Sequence, residues 1–598
     1  MNSRYPLPFR YRRLVGNDVR LLKVEPGELG SPIICHLHQV PLTQDIKYIA
    51  LSYAWGDANA TRPITLNGRN FEVTLNLYAA LDQLRSSVSD FTTSYVWIDA
   101  ICINQGDTIE REKQIPRMAD IFRISTKVLA WTGPLDDSGD REIETVFKAA
   151  VSMHQRLKYQ AAMFSKGQCI EVPDADFKTT IEDIADGILR LFESSWFRRL
   201  WVVQEVCLPR RPPDLCTGRH VIDFPSLETL CGAPIITMDK LFTRVTPFLM
   251  LSQYRLRIRQ WTASGVKYKP GHMFLEIIWM RSMRHSTKPH DQIYGVLGLF
   301  NSLVHGDLPT LLQPDYQKPL GQVFRDAIIY IIRETGDLRL LGSRHEGVDG
   351  MPSWVHDFRK YPYHFRIWAP FRRADSITLS TDEMMLNVKG VQLGVCDAIM
   401  PPAPLSSGGF DRNHLQKSLR NRVEALERWL ARASATVGEK EDVIRNSWSH
   451  CAFRSDDKEL EAALESRYND LRKQTGVNAT ALTEEKLTSA FPASDRQNEI
   501  PARLPYPDHE AVQLEAYIAR EFAIVSEQSC SRVLNTSARL QKGDVVCIFL
   551  GGAAPFVIRP RRTGYEIIGS CGLFGFNDND LLLKEFWDRQ ELQDFVLV

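Results

Sequence analysis

The chain has 598 residues, 44% hydrophobic and 24% charged, the proportions of a folded soluble protein, so wholesale disorder and a single small core are both excluded, and roughly three to five domains are expected. Lys plus Arg and Asp plus Glu each number 73, which leaves no net field for nucleic acid; the short basic clusters at 10–13, 198–199, 210–211 and 559–562 read as solvated faces. Eleven scattered cysteines without a CxxC pair argue against a disulfide framework, and with no apolar signal region and no run of the ~18 apolar residues a membrane span needs, the expectation is a cytoplasmic chain.

In chain order, Val19–Val24 predicts a strand, Glu25-Pro-Gly27 a turn, and Pro32–Val40 a second strand completing a hairpin. His36 and His38 alternate along that run without Cys or carboxylate at ligand spacing, so they are read as strand-face residues and no metal site is predicted. Two later segments, Tyr48-Ile-Ala-Leu-Ser-Tyr-Ala-Trp-Gly56 and Val96-Trp-Ile-Asp-Ala-Ile-Cys-Ile-Asn-Gln105, are short apolar runs that end in polar residues. Each reads as a strand buried on both faces, which places Ser52, Asp99 and Asn104 at carboxyl ends. Between them, Thr61–Val73 reads as polar and turn-rich, and Asn76 as the cap of a helix with Leu77, Leu81 and Leu84 on one face. Asp107 and Glu110 match a capping box ahead of a helix that Pro116 kinks or delays, and Val128–Trp131, closed by Gly133-Pro134, is a third buried strand. This βαβαβ order predicts a parallel, flavodoxin-like sheet with right-handed crossovers and a ligand crevice outside its carboxyl ends.

A helical insertion at about 140–195 leads into Ser194–Cys207, read as a short helix packed on the sheet. Residues 215–370 read as mainly helical, including Gln292–Leu299 and Val323–Ile332. A linker follows at Pro401–Gly409, then a charged, helix-prone stretch at 411–500. Runs at 545–550, 555–559 and 565–571 predict a small C-terminal β-meander. The expected domains are therefore 1–210, an α/β unit; 211–400, mainly α; 401–510, linker and charged helices; and 511–598, containing the meander.

Walker, GxGxxG, HExxH, GxSxG and EF-hand patterns are missing, so the common enzyme classes have no motif support. What remains is a set of polar residues predicted near strand ends, Ser52, Asp99, Asn104 and Gln105, and one acidic residue on the short helix, Glu205. Trp55, Trp97 and Trp201 also fit simple packing, Asp99 a turn cap, Glu205 an ion pair with Arg198 or Arg199, and Cys102 an inert buried thiol.

Six blocks in order resemble the fungal heterokaryon-incompatibility (HET) domain: Arg20-Leu-Leu22, Tyr48–Gly56, Trp97–Gln105, Glu110-Arg111 with Gln114 and Met118, Val128–Gly133, and Trp196–Glu205. Asp291–Leu299, Pro352–Val355 and Gly543–Leu550 are similar to regions found behind that domain. Pro116 and the tail 572–580 depart from the pattern. The resemblance implies a role in non-self recognition and programmed cell death, with a protein partner and self-association.

A second, weaker resemblance is to TIR domains, through Leu51-Ser-Tyr53, Ile98-Asp99 and Trp201-Val-Val-Gln-Glu205. It implies a TIR-like fold and an NAD glycohydrolase, with NAD as substrate rather than cofactor. Glu205 would be the catalytic carboxylate, Ser52, Tyr53, Trp55 and Gly56 the wall beside it, Asp99, Asn104 and Gln105 the neighbouring strand-end contacts, and Trp201 a stacking ring. The alternative is a non-enzymatic signalling or oligomerisation module, or an accessory protein of a gene cluster.

Overall fold

Tyr48–Tyr53 is buried at all six positions, as an apolar run flanked by strands on both sides requires, and the first half of the molecule is arranged about it. The computed structural model describes residues 9–164, 180–233, 241–263, 269–281, 284–304, 306–342, 347–360, 377–400, 521–526, 531–536, 540–552, 554–573 and 591–598. The expected linker at 401–409, the charged stretch at 411–500 and the tail residues 574–580 lie outside them. Two compact units, Met1–Gln317 and Lys318–Val598, divide the chain.

In the first unit the strands are β1 (Asp18–Val24), β2 (Ile34–Pro41), β3 (Tyr48–Tyr53), β4 (Thr61–Leu66), β5 (Arg69–Thr74), β6 (Tyr95–Trp97), β7 (Lys127–Gly133), β8 (Asp214–Thr217) and β9 (His220–Asp223). They form one sheet in the order β5-β4-β2-β1-β6-β3-β7-β8-β9. Its centre, β6-β3-β7-β8, is parallel, and β1 and β9 flank it antiparallel. The central strands thus run second, first, third, fourth in chain order, the flavodoxin-like arrangement, so the switch point where strand order reverses lies between β3 and β7. Ser52 pairs there with Ala130 and Tyr53 with Trp131.

Several local expectations are corrected. Thr61–Val73 is an antiparallel hairpin rather than loop; Asn67 and Gly68 turn it with φ of 50° and 74°, the positive angles a two-residue hairpin turn demands. The segment 96–105 is strand only as far as Trp97, because Asp99–Cys102 is a helical turn; Asp99 therefore opens a turn, Cys102 is buried within it, and Asn104 lies in the loop beyond rather than at a strand end. Burial pushes the Cys102 thiol up to about 12, so it stays protonated. Thr74, not Asn76, caps the helix Leu75–Ser87. At Pro116 the chain breaks into two helices, Thr108–Gln114 and Met118–Ile124, since proline cannot continue the hydrogen-bond ladder.

Helices Asp137–Phe164 and Ile181–Glu193 make up the insertion between β7 and β8, the second opened by a capping box of Thr180 and Asp183. Residues 214–223 return to the sheet as β8 and β9 before the helical region that runs through Phe224–Cys231, Phe242–Ala263, Pro270–Met280 and Asp291–Val304.

The second unit opens with the helix Leu320–Thr335, ended by Gly336 in the left-handed conformation at φ 68°. Its sheet contains β10 (Thr378–Leu379), β11 (Leu386–Met400), β12 (Glu521–Ser526), β13 (Ser531–Thr536), β14 (Val545–Phe549), β15 (Phe556–Pro560), β16 (Tyr565–Leu573) and β17 (Gln593–Leu597). The expected meander is β14-β15-β16; it is joined to β11, which pairs with β12, β14 and β17. Among the described residues no helix is long and apolar enough to cross a membrane.

Candidate functional site

Three pieces of chain meet at the carboxyl end of β3. The strand supplies Ser52 and Tyr53, the turn after β6 supplies Asp99, and Ser195–Cys207, a single tight turn followed by a six-residue helix, supplies Trp196, Arg199 and Glu205. Ser52 Oγ donates to Glu205 Oε2 and accepts from Trp196 Nε1 at 2.6 Å, so one buried hydroxyl joins strand, turn and helix. Arg199 donates to the carbonyl oxygen of Tyr53. Asp99 receives Trp55 Nε1 at 2.8 Å and the amide of Ala100 at 2.7 Å, while Gln105 Nε2 donates to its main-chain carbonyl at 3.0 Å. Asn76, freed from capping, donates to Ala54 O and accepts from Trp131 Nε1 at 3.0 Å, tying the ends of β3 and β7 together.

The electrostatics follow from enclosure. Glu205 is 4% exposed, and burial raises its pKa above the usual carboxyl value; Asp99 adds to the rise, while Arg199 and the Ser52 bond oppose it. Burial raises Asp99 as well, again opposed first by Arg199 and then by Trp55. Asp99 keeps some accessible surface although protein atoms surround its carboxyl, so the cluster is closed without being sealed. One guanidinium balances only one carboxylate, and the second is thereby driven toward its neutral form. Tyr53 is 2% exposed and burial raises it well above the ordinary phenol value; its hydroxyl is close enough to Asp99 to feel the charge, yet closes no hydrogen bond of ordinary geometry.

Of the residues singled out from the sequence, Ser52, Tyr53, Trp55, Asp99, Gln105 and Glu205 come together. Gly56 stands on the rim at φ 75°. Asn104 turns away, its amide donating to Glu110 at 2.8 Å and its side chain accepting from Gly106 at 3.3 Å. Trp201 packs half-buried on the sheet core with its indole toward Asp291. Sequence reasoning missed Trp196 and the bridging role of Asn76, and weighed Arg199 only as an ion-pair partner of Glu205, without its bond to Tyr53 O or its place beside Asp99. The available signal was proximity: Trp196 and Arg199 share one short segment with Glu205, and a buried serine offers an acceptor that an indole N–H can fill.

Beside this cluster, outside the ends of β7 and β8, lies an open cavity of about 450 Å³ lined by Thr132, Asp136, Arg190, Ser194 and Thr217. Ser194 Oγ donates to Thr132 O at 2.5 Å, and two residues later Trp196 reaches Ser52, so the 194–196 segment links cavity and cluster.

Comparison with known proteins matches residues 48–205 to the family described as Heterokaryon incompatibility protein (HET). Heterokaryon incompatibility protein 6, OR allele, of Neurospora crassa is 26% identical over 400 residues, 57% of this chain and 57% of that protein. The matched stretch thus spans little more than half the length of that curated relative. No solved structure matches the chain significantly.

Proposed function

We propose, on the premise that this chain is a fungal HET-domain protein with its domain at residues 48–205, that it acts in heterokaryon incompatibility and that its α/β domain is the effector, a TIR-like NAD glycohydrolase whose consumption of NAD leads to cell death. The observation that carries the enzymatic reading is the contact of Glu205 with Ser52 at the carboxyl end of β3, beside the switch point between β3 and β7 where sheets of this order bind ligands. In the reaction the bond between ribose C1 and the nicotinamide nitrogen breaks, and its electron pair neutralises the pyridinium, so the leaving group needs no proton. The oxocarbenium-like ribose then takes up water and releases a proton, giving ADP-ribose and nicotinamide. Glu205, freed from Ser52 and paired with Arg199, supplies the negative charge facing that cation, and Ser52 and Tyr53 line the wall. A protein partner of non-self recognition, self-association and a cytoplasmic setting belong to the same proposal.

A second reading is favoured by the burial itself. Glu205 Oε2 is occupied by Ser52 and its neutral form is promoted, which suits a structural lock in a domain that signals by association. Incubating NAD with purified full-length chain separates the two. The enzymatic reading expects NAD to disappear with nicotinamide released, and Glu205→Gln to lower the rate about 10²-fold or more. Unchanged NAD at high protein concentration leaves the associative reading.

A further inference from the structure

Glu205 rides on a helix of only six residues, Val202–Cys207, which its own ladder cannot hold in place. Besides the bond from Ser52, much of what holds it comes from residues beyond the family match. Arg255, on the helix Phe242–Ala263, donates to the carbonyls of Val206 and, at 3.1 Å, of Arg210; Arg259, one turn on, donates to Pro209 O and, at 2.7 Å, to Arg210 O. Guanidinium groups at this end satisfy carbonyls that have no partner within the helix and meet the negative end of its dipole. At the other end Leu200 donates its amide to His285 O at 2.9 Å, His285 returns one to Arg198 O at 2.6 Å, and Arg284 donates to Phe197 O.

The third wall is the helix Asp291–Val304, which contains the Gln292–Leu299 motif. Gln204, the residue before Glu205, donates from Nε2 to Gly295 O. A Cβ on Gly295 would stand 2.8 Å from Leu200 Cδ2; on Gly298 it would stand 2.5 Å from Gln204 Oε1 and 3.1 Å from Ala119 Cβ. Two glycines three residues apart on one helical face therefore allow this helix to lie directly against the segment bearing Glu205.

We propose that the helix Phe242–Ala263 and residues 284–304 are a positioning cradle for Glu205, in which Arg255, Arg259, Gly295 and Gly298 set the helix that presents the carboxyl to Ser52. The functional unit then extends well past residue 205. This rests on the reading of Glu205 as the working group, and the positioning residues act through Gln204 and the helix backbone without touching substrate.

The test uses the full-length chain labelled with 5-fluorotryptophan. Among its 12 tryptophans the Trp196 fluorine signal is identified by its loss in Trp196→Phe, and it reports the Trp196–Ser52–Glu205 contacts directly. Arg255→Met and Gly298→Ala should each move that signal as Glu205→Gln does, and should lower kcat for NAD at least tenfold with KM changed less than twofold. Arg255→Lys should recover most of both, and Arg257→Met, on the same helix but exposed, should change neither. A lowered melting temperature with the Trp196 signal and kcat at wild-type values would reduce the cradle to general packing and overturn the proposal. If wild type leaves NAD intact, the enzymatic reading falls, and the fluorine signal alone decides: a shift in Arg255→Met supports the cradle, no shift overturns it. Should Gly298→Ala fail to fold, the outcome for Arg255→Met settles the matter by the same criteria.

Discussion

Two of the buried charge clusters among the described residues of the first unit are built on opposite plans. Arg20 meets Glu110 through two bonds of 2.6 and 2.9 Å, its remaining donors reach Cys102 O at 3.0 Å and Arg12 O at 2.7 Å, and Tyr11 stacks on the guanidinium at 4.7 Å. Burial alone would raise the Glu110 pKa, but the Arg20 bonds and the Asn104 amide hold it below the usual carboxyl value. At the end of β3 one guanidinium faces two carboxyls, both raised, and a tyrosine hydroxyl closes no bond of ordinary geometry. A matched pair explains itself as support for the fold. An unmatched one, held together by surrounding structure, is the arrangement expected where chemistry or switching rather than stability has set the residues.

The contrast breaks if both clusters respond alike to substitution. Arg20→Met should cost most, about 3–5 kcal/mol in urea unfolding, because it strands a buried carboxylate and two carbonyls. Ser52→Ala should cost about 1–3 kcal/mol, since Trp196 Nε1 and Glu205 Oε2 both lose a partner while a small volume is vacated. Glu205→Gln should go the other way at neutral pH and raise stability slightly, by removing a carboxyl whose charged form is disfavoured by burial.

The pH dependence sharpens the same point. Glu205 and Asp99 have folded pKa values above their unfolded ones, so the folded chain binds more protons. Stability contributed by these two groups therefore rises as pH falls from neutral through their folded values and levels off near the ordinary carboxyl range of about 4. Glu110, lowered, contributes stability that is present above that range and is lost on further acidification. Melting temperatures between pH 4 and 8 (roughly the interval between ordinary carboxyl values and neutrality) should rise less on acidification in Glu205→Gln than in wild type; equal slopes would contradict the unmatched-charge description.

Strands β3 and β7 were legible because each is a short apolar run closed by turn residues, β1 because its aliphatic residues end at the turn Glu25-Pro-Gly27, and the break at Pro116 because proline leaves no alternative. The β4-β5 hairpin was missed although Asn67-Gly68 is its turn signal: the first three residues of β4 and half of β5 are exposed, so no apolar alternation marks them. Ile98–Ile103 is apolar enough for strand or helix, and its composition could not decide between them. Arg199 was legible as a partner for Glu205 but not as the single cation between two carboxyls, since Asp99 reaches it from a distant part of the chain. Ser52 and Glu205 were each noticed as polar residues in apolar surroundings, but their pairing had no local signal; only resemblance to a family set them side by side.

That pairing spans 153 residues of sequence, and the bond from Gln204 to Gly295 adds a further 91. Synthesis at about 5–20 residues per second puts roughly 12–50 seconds between the emergence of Ser52 and that of Gly295. During this interval a nascent chain holds the strand but not the seated carboxyl. The order of residues along the gene then acts as a clock, and a chain cut short before the Gly295 helix lacks one wall of the seat in which Glu205 is held.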